Sequence, residues 1–259
     1  MADLAKWQKL IEIMAQLRSE NGCPWDKEQD HQTLKRYLLE ESYEVLDAID
    51  ANDDAALCDE LGDVLLQVVF HAQIAAEQGR FTIDDVLDAV NSKMIRRHPH
   101  IFGEAHADNS AQVLTMWEQI KAAEKDSSGR QKRGVMKVND NLPALMLAQK
   151  VQEKASRVGF DWPDISGPKA KLSEELAELA AAGTPEEQYD ELGDVLFAAV
   201  NLARFLHIEA EDALRHADHK FMARFNYIEE SAAAQGKDLN DMTLQEMDRL
   251  WDEAKEKGL

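Results

Sequence analysis

The chain has 259 residues, of which 50 are Asp or Glu and 29 are Lys or Arg, for a formal net charge of −21. That surplus of acid argues against nucleic-acid duplexes and membranes as partners, since no large basic surface is left to neutralise phosphates, whereas a small phosphorylated ligand needs only local cations. No charged leader with an apolar stretch opens the chain and no run of about 18 apolar residues occurs; Cys23 and Cys58 make neither a disulfide framework nor a zinc site, so a reduced, cytoplasmic protein is expected.

In chain order, Gln8-Lys9 leads an apolar-periodic stretch to Gly22-Cys23-Pro24-Trp25-Asp26, a turn that Trp25 is expected to pin to a helical bundle. Asp30 is placed to cap a helix running to about Asp50, which carries Glu40, Glu41 and Glu44. Asp53 opens the next helix, with Glu60 and Asp63. Its apolar positions Leu57, Leu61, Val64, Leu65 and Val68 recur at helical spacing until Gly79 stops it. Thr82 with Asp85, and Ser110, mark two more helix starts. His98 and His100 flank Pro99 and do not share a helix face, so they read as a turn and not as metal ligands. Residues 126–141, with Ser127-Ser128-Gly129 and the basic Arg130, Lys132 and Arg133, read as a linker.

Beyond the linker the same features return in the same order. Gln149-Lys150 leads to Gly159-Phe160-Asp161-Trp162, where Trp162 is expected to pin the turn as Trp25 does. Ser166 with Pro168 opens a helix carrying Glu174, Glu175 and Glu178, and Thr184 with Pro185 opens one carrying Glu191 and Asp194. Lys220-x-x-x-Arg224 matches Lys93-x-x-x-Arg97. Thr243 with Glu246 opens the last helix, where Trp251-Asp252-x-x-Lys255 matches Trp117-Glu118-x-x-Lys121; Gly183 and Gly236 sit at helix ends. The expected organisation is two tandem copies of one domain of ~120 residues, residues 1–125 and 142–259, each an all-α bundle.

In each copy, Glu-Glu-x-x-Glu on one helix is followed by Glu-Leu-Gly-Asp-Val-Leu on the next. Residues at i, i+3 and i+4 stack on one helix face, so these carboxylates repel one another. A hard divalent cation such as Mg²⁺, which takes oxygen ligands and shares them with substrate phosphates, relieves that repulsion. One such pattern is easily accidental in an acidic chain, whereas two in the same register are hard to credit to composition.

The cations carry two readings each. Lys220 and Arg224, at i and i+4, either reach one phosphate chain together or pair with acids on neighbouring helices. Lys171, one turn before Glu174, adds a phosphate contact in the second copy, where the first copy has Tyr37 with Lys35 and Arg36 nearby. No Lys or Arg occurs between Gly183 and Arg204. Trp251 with Lys255, and Trp117 with Lys121, either stack a base and hold a phosphate or ribose, or pack in the core. Few long helices per copy leave an apolar stripe to cover, which calls for a homodimer at least.

The run Gly22-Cys23-Pro24-Trp25-Asp26-Lys27-Glu28-Gln29, the paired acid motifs, the segment Arg96-Arg97-His98-Pro99-His100-Ile101-Phe102 and the tandem arrangement together resemble the MazG family over nearly the full length. The resemblance implies an all-α fold, a homodimer, and Mg²⁺-dependent hydrolysis of nucleoside and deoxynucleoside triphosphates to monophosphate and pyrophosphate in a housecleaning or stress-linked role. It implies Glu175, Glu178, Glu191 and Asp194 as metal ligands, with Mn²⁺ as a substitute ion, and the C-terminal copy as the main catalytic one. Glu41, Glu44, Glu60 and Asp63 are the first-copy counterparts. Glu174 either orients the attacking water and takes its proton, or is an exposed acid without a role. Two rivals stand beside this. A di-iron bundle would want Glu-x-x-His where both copies have Glu-x-x-Asp, and a non-catalytic acidic module would bind nucleotide or protein without turnover.

Overall fold

The computed structural model describes residues 4–127, 136, 138 and 141–259. Among them are twelve α-helices and one short 3-10 helix, with no strand, so the fold is all-α. The chain divides into two compact units, Met1–Gly129 and Arg130–Leu259. The basic cluster Arg130, Lys132 and Arg133, and the residues Ser128 and Gly129, lie outside the described residues.

Unit 1 contains α1 (Leu4–Leu17), α2 (Pro24–Glu28), α3 (Lys35–Asp50), α4 (Asp54–Glu77), α5 (Ile83–Arg97), α6 (Pro99–Phe102) and α7 (Ser110–Ser127). Helices α3 and α4 pair as a hairpin, α1 and α5 pack on α4, and α7 packs on α5. The second half of α4 is apolar nearly all round, as a central helix must be. Its Val69, Phe70 and Ile74 form the core with Met14 of α1 and Leu34. The Asp53 carboxylate accepts from the N–H groups of Ala55 and Ala56, Thr82 and Asp85 form a capping box, and Gly79 ends α4 at φ +64°. Each such cap is worth about 1 kcal/mol.

Two starts differ from the sequence reading. Asp30 does not cap α3; its carboxylate accepts from the backbone of Gln32 and Thr33, and a turn separates it from Lys35. Ser110 is the first helical residue of α7, and the side chain of Asn109 accepts from the N–H of Gln112. At α7 a neighbouring side chain reached the free backbone N–H groups first, whereas Asp30 spends its carboxylate on the turn that precedes α3 and no side chain caps that helix. His98 Nδ1 lies 2.7 Å from the backbone oxygen of Met94, consistent with a turn.

Unit 2 contains α8 (Ala144–Ser156), α9 (Ser166–Ala181), α10 (Pro185–Phe205), α11 (Ala210–Ala234), a 3-10 turn (Leu239–Asp241) and α12 (Leu244–Glu256). Helices α9 and α10 form the hairpin, α8 packs on α10 and α11, and α12 packs on α11 around Ile228, Ala232, Met242 and Leu250. Capping boxes at Thr184 with Glu187 and Thr243 with Glu246 start α10 and α12. At α9 the cap belongs to Asp164, which accepts from the N–H of Ser166, and not to Ser166 itself. The Gln149 side chain accepts from the N–H of Ala210 at 3.0 Å, a buried bond tying α8 to the start of α11. Among the described residues no helix is long and apolar enough to cross a membrane.

Candidate functional site

Each helix hairpin gathers carboxylates at the same place. In unit 1, one oxygen each from Glu41, Glu60 and Asp63 lie within 4.8 Å of one another, and in unit 2 the same holds for Glu175, Glu191 and Asp194. Two of each trio sit one helical turn apart on α4 or α10, and the third comes from α3 or α9. Glu44 and Glu178 join from the turn after Glu41 and Glu175. Burial, then the charge of Asp63 and a hydrogen bond from Glu44, push the Glu41 carboxyl above the usual range; burial and Glu44 do the same to Glu60. In unit 2 the hydrogen bond with Glu175 raises Glu178. Oxygen-only donors that hold onto protons because they are crowded form a set suited to a hard divalent cation.

The units differ in the charge that faces these acids. Lys171 Nζ lies 2.8 Å from Glu174 and 2.5 Å from Glu175, whose side chain is only 6% exposed. That ammonium holds the Glu175 carboxyl below its ordinary range. In unit 1 the matching Tyr37 instead packs edge-on against Trp25 at 5.7 Å and takes Arg36 over its ring. Trp25 and Trp162 both remain about half exposed, so each pins its turn with one face only.

Most of the other expected substrate contacts have partners of their own. Arg224 lies over the Trp251 ring and donates to the backbone oxygen of Leu259. Trp251 is partly buried against the α11–α12 core and packs on Phe221. Lys255 pairs with Asp252 at 2.9 Å. In unit 1, Lys121 sits 4.4 Å from the centre of the Trp117 ring. Lys220 is exposed on α11.

A family model for the MazG nucleotide pyrophosphohydrolase domain matches residues 29–102, the stretch holding the α3–α4 carboxylate hairpin. The chain is also 48% identical over 249 residues to the nucleoside triphosphate pyrophosphohydrolase/pyrophosphatase MazG of Thermotoga maritima, covering 96% of this chain and 95% of that one. The chain belongs to the MazG family. It is 45% identical to the nucleoside triphosphate pyrophosphohydrolase of Escherichia coli K12, over 95% of this chain and 96% of that one. The Bacillus subtilis protein YabN is 50% identical over 94% of this chain, which spans 50% of that longer protein.

This MazG chain also has a cavity that the sequence reading missed. About 440 Å³ in volume, it lies in unit 2 where α8 meets α10, lined by Gln152, Ala155, Trp162, Phe197 and Asn201 among others. At its side Arg204 and Asp161 form an ion pair with both carboxylate oxygens engaged. The signal for it was present in the repeat, in positions where the second copy carries smaller or polar residues than the first.

Proposed function

We propose that the protein hydrolyses nucleoside and deoxynucleoside triphosphates between the α and β phosphates, releasing the monophosphate and pyrophosphate, with Mg²⁺ as cofactor and Mn²⁺ as a substitute. The observation that carries this reading is the convergence of Glu175, Glu191 and Asp194 from two paired helices. The activity for which the Thermotoga and Escherichia relatives are named supports it. Glu175, Glu178, Glu191 and Asp194 would hold the ion in unit 2, and Glu41, Glu44, Glu60 and Asp63 in unit 1. When bound, Mg²⁺ neutralises charge on the polyphosphate and on the leaving pyrophosphate.

The chain's own residues then have separate tasks. Glu174, exposed beside Glu175, orients the attacking water and accepts its proton. Lys171 turns its ammonium from Glu174 and Glu175 to a phosphate oxygen, a small movement because the side chain is flexible and one turn away. Lys220 supplies a second mobile positive charge from α11, and Lys255 and Lys121 supply further contacts beside their tryptophans. Trp251 and Arg224, which also fasten α12 to α11, contact the base and the phosphate chain. Unit 2 does most of the hydrolysis, while unit 1, with Tyr37 in place of Lys171, has weak, narrower or regulatory nucleotide binding.

Leu61, Leu65 and Val68 on α4 and Leu176, Leu192 and Leu196 on α9 and α10 are all more than a third exposed, which supports a homodimer covering the hairpins. The cellular role in this reading is housecleaning or stress-linked control of the nucleotide pool in the cytoplasm. Incubation with Mg²⁺ and each of the eight common triphosphates, with analysis for pyrophosphate, tests the reaction. Pyrophosphate release abolished by EDTA is expected; orthophosphate as the sole inorganic product overturns it.

A further inference from the structure

Two histidines of unit 1 meet where the chain enters the α3–α4 hairpin. His31, in the turn ahead of α3, and His71 of α4 have ring planes 11° apart, and their Nδ1 atoms stand 2.8 Å from one another. The other nitrogen of His31, Nε2, accepts from the Arg80 guanidinium just past the end of α4. A guanidinium only donates, so His31 Nε2 carries no proton. The neutral ring then has its proton on Nδ1 and donates it to His71 Nδ1, which leaves the His71 proton on Nε2. Arg80, His31 and His71 thus form a relay in which both rings are neutral and each tautomer is fixed by its partner.

A further proton has no good place in this relay. On His71 it must go to Nδ1, where it meets the N–H of His31; on His31 it must go to Nε2, where it meets Arg80. Either way a hydrogen bond becomes a contact between two donors, and a new positive charge appears near a guanidinium. Burial, and then the charge of His31, hold His71 below its ordinary 6.5. The acids around the pair are engaged elsewhere. Asp30, beside His31, accepts from the N–H groups of Gln32 and Thr33, and Glu77 of α4 pairs with Arg18 at 2.8 Å. Asp85 of α5 is held in its cap by Thr82, while Lys35 and Asp84 are exposed at the starts of α3 and α5. Among the described residues no carboxylate bonds to either ring.

The relay fastens the stretch that ends in Leu34, which is fully buried in the core, and that leads directly into the helix carrying Glu41 and Glu44. Unit 2 has other residues at these places. With Glu60-x-x-Asp63 set against Glu191-x-x-Asp194, His71 falls at Leu202; with Glu40-Glu41 set against Glu174-Glu175, His31 falls at Ile165. We propose that Arg80, His31 and His71 are a pH-sensitive latch that closes the entry of α3 onto α4 near neutral pH and opens in mild acid, in unit 1 alone. A folded-state value below the unfolded one means that the stabilisation is fully present above pH 6.5 and is lost as the pH falls through the His71 value. Acid then loosens the α3 side of the unit 1 carboxylate cluster and leaves that of unit 2 as it is.

Hydrogen exchange of the full chain, followed by mass spectrometry at about pH 7.5 and about pH 5.5 with times scaled for the intrinsic pH dependence of exchange, reads the latch. In the wild type, protection of residues 31–38 should fall by ~10-fold or more between the two conditions, while that of residues 165–172 holds. His71→Leu, which places the unit 2 residue in unit 1, should show the low protection of residues 31–38 at both. Ring nitrogen chemical shifts of the wild type need no variant, and near neutral pH should place the proton on Nδ1 of His31 and on Nε2 of His71. Equal protection of residues 31–38 in both conditions, or either ring found doubly protonated near neutral pH, overturns the latch. So does a His71→Leu variant whose protection falls as the wild type's does, because the pH dependence then has another source. A fall of the same size in residues 165–172 overturns its restriction to unit 1.

Discussion

The guanidinium of Arg224 lies 5.3 Å from the centre of the Trp251 ring and also donates to the backbone oxygen of Leu259 at 2.8 Å. The matching pair in unit 1, Arg97 and Trp117, stands at 5.6 Å, with Arg97 fastened to Glu124 of α7. A relationship repeated in both units, and satisfied in each by different third partners, is a fastener between two helices. Trp251→Ala should therefore destabilise unit 2 by about 2–4 kcal/mol, toward the lower part of the range for removing a large aromatic because the ring is only partly buried. Denaturant midpoints followed by circular dichroism check this, and an unchanged midpoint would show that the ring does not fasten the two helices.

Lys171 neutralises Glu174 and Glu175, and it is the residue that most plainly separates the two carboxylate clusters. The pair faces solvent, so Lys171→Ala should leave folding stability nearly unchanged. Its effect belongs to turnover, where loss of a cation on the phosphate chain should lower kcat/KM by about 10- to 100-fold. Stabilisation by Mg²⁺ alone, read as a rise in melting temperature, should be undiminished because a competing cation has gone. Wild-type kcat/KM in Lys171→Ala would remove it from the substrate contacts.

Division of labour between the units is tested by a matched pair of variants. Glu175→Gln with Glu178→Gln should cost several kcal/mol of transition-state stabilisation, whereas Glu41→Gln with Glu44→Gln should leave most of the hydrolysis. Both are assayed on the same triphosphates at saturating Mg²⁺. Silencing by the unit 1 pair alone reverses the assignment, and a loss of about half from each makes both units enzymes.

Acid stability follows from carboxylates held in their charged form. The ammonium of Lys237, with the backbone and hydroxyl of Thr243, lowers Glu246 from 4.5 to about 2, and Arg97 with Arg96 lowers Glu124 from 4.5 to about 2. A depressed folded-state value means that the contribution is fully present above pH 4.5 and is lost as the pH falls toward 2. The melting temperature should fall through that window. Glu246→Gln should flatten the fall in unit 2, and an unchanged pH profile in that variant would show that the ion pair is not maintained in solution.

Sequence alone determined what is local. Asp53, Thr82, Thr184 and Thr243 cap their helices as their spacing predicts, because a cap involves residues within three or four positions. The same locality made the acids of α3, α4, α9 and α10 legible as stripes on single helix faces. It failed narrowly at Ser110 and Ser166, where the neighbouring Asn109 and Asp164 take the free N–H groups, and more widely at Asp30, whose carboxylate closes a turn ahead of α3. Tertiary structure decided whatever joins residues distant in the chain. Pairing of α9 with α10 brings Glu175 to Glu191 and Asp194; packing of α12 on α11 turned Trp251 and Arg224 toward each other. The cavity arises because Ala155 on one helix and Asn201 on another leave unfilled the space that Met14 and Phe70 occupy in unit 1. An empty volume is set by the side chains facing it from several helices at once, and no local pattern along the chain encodes it.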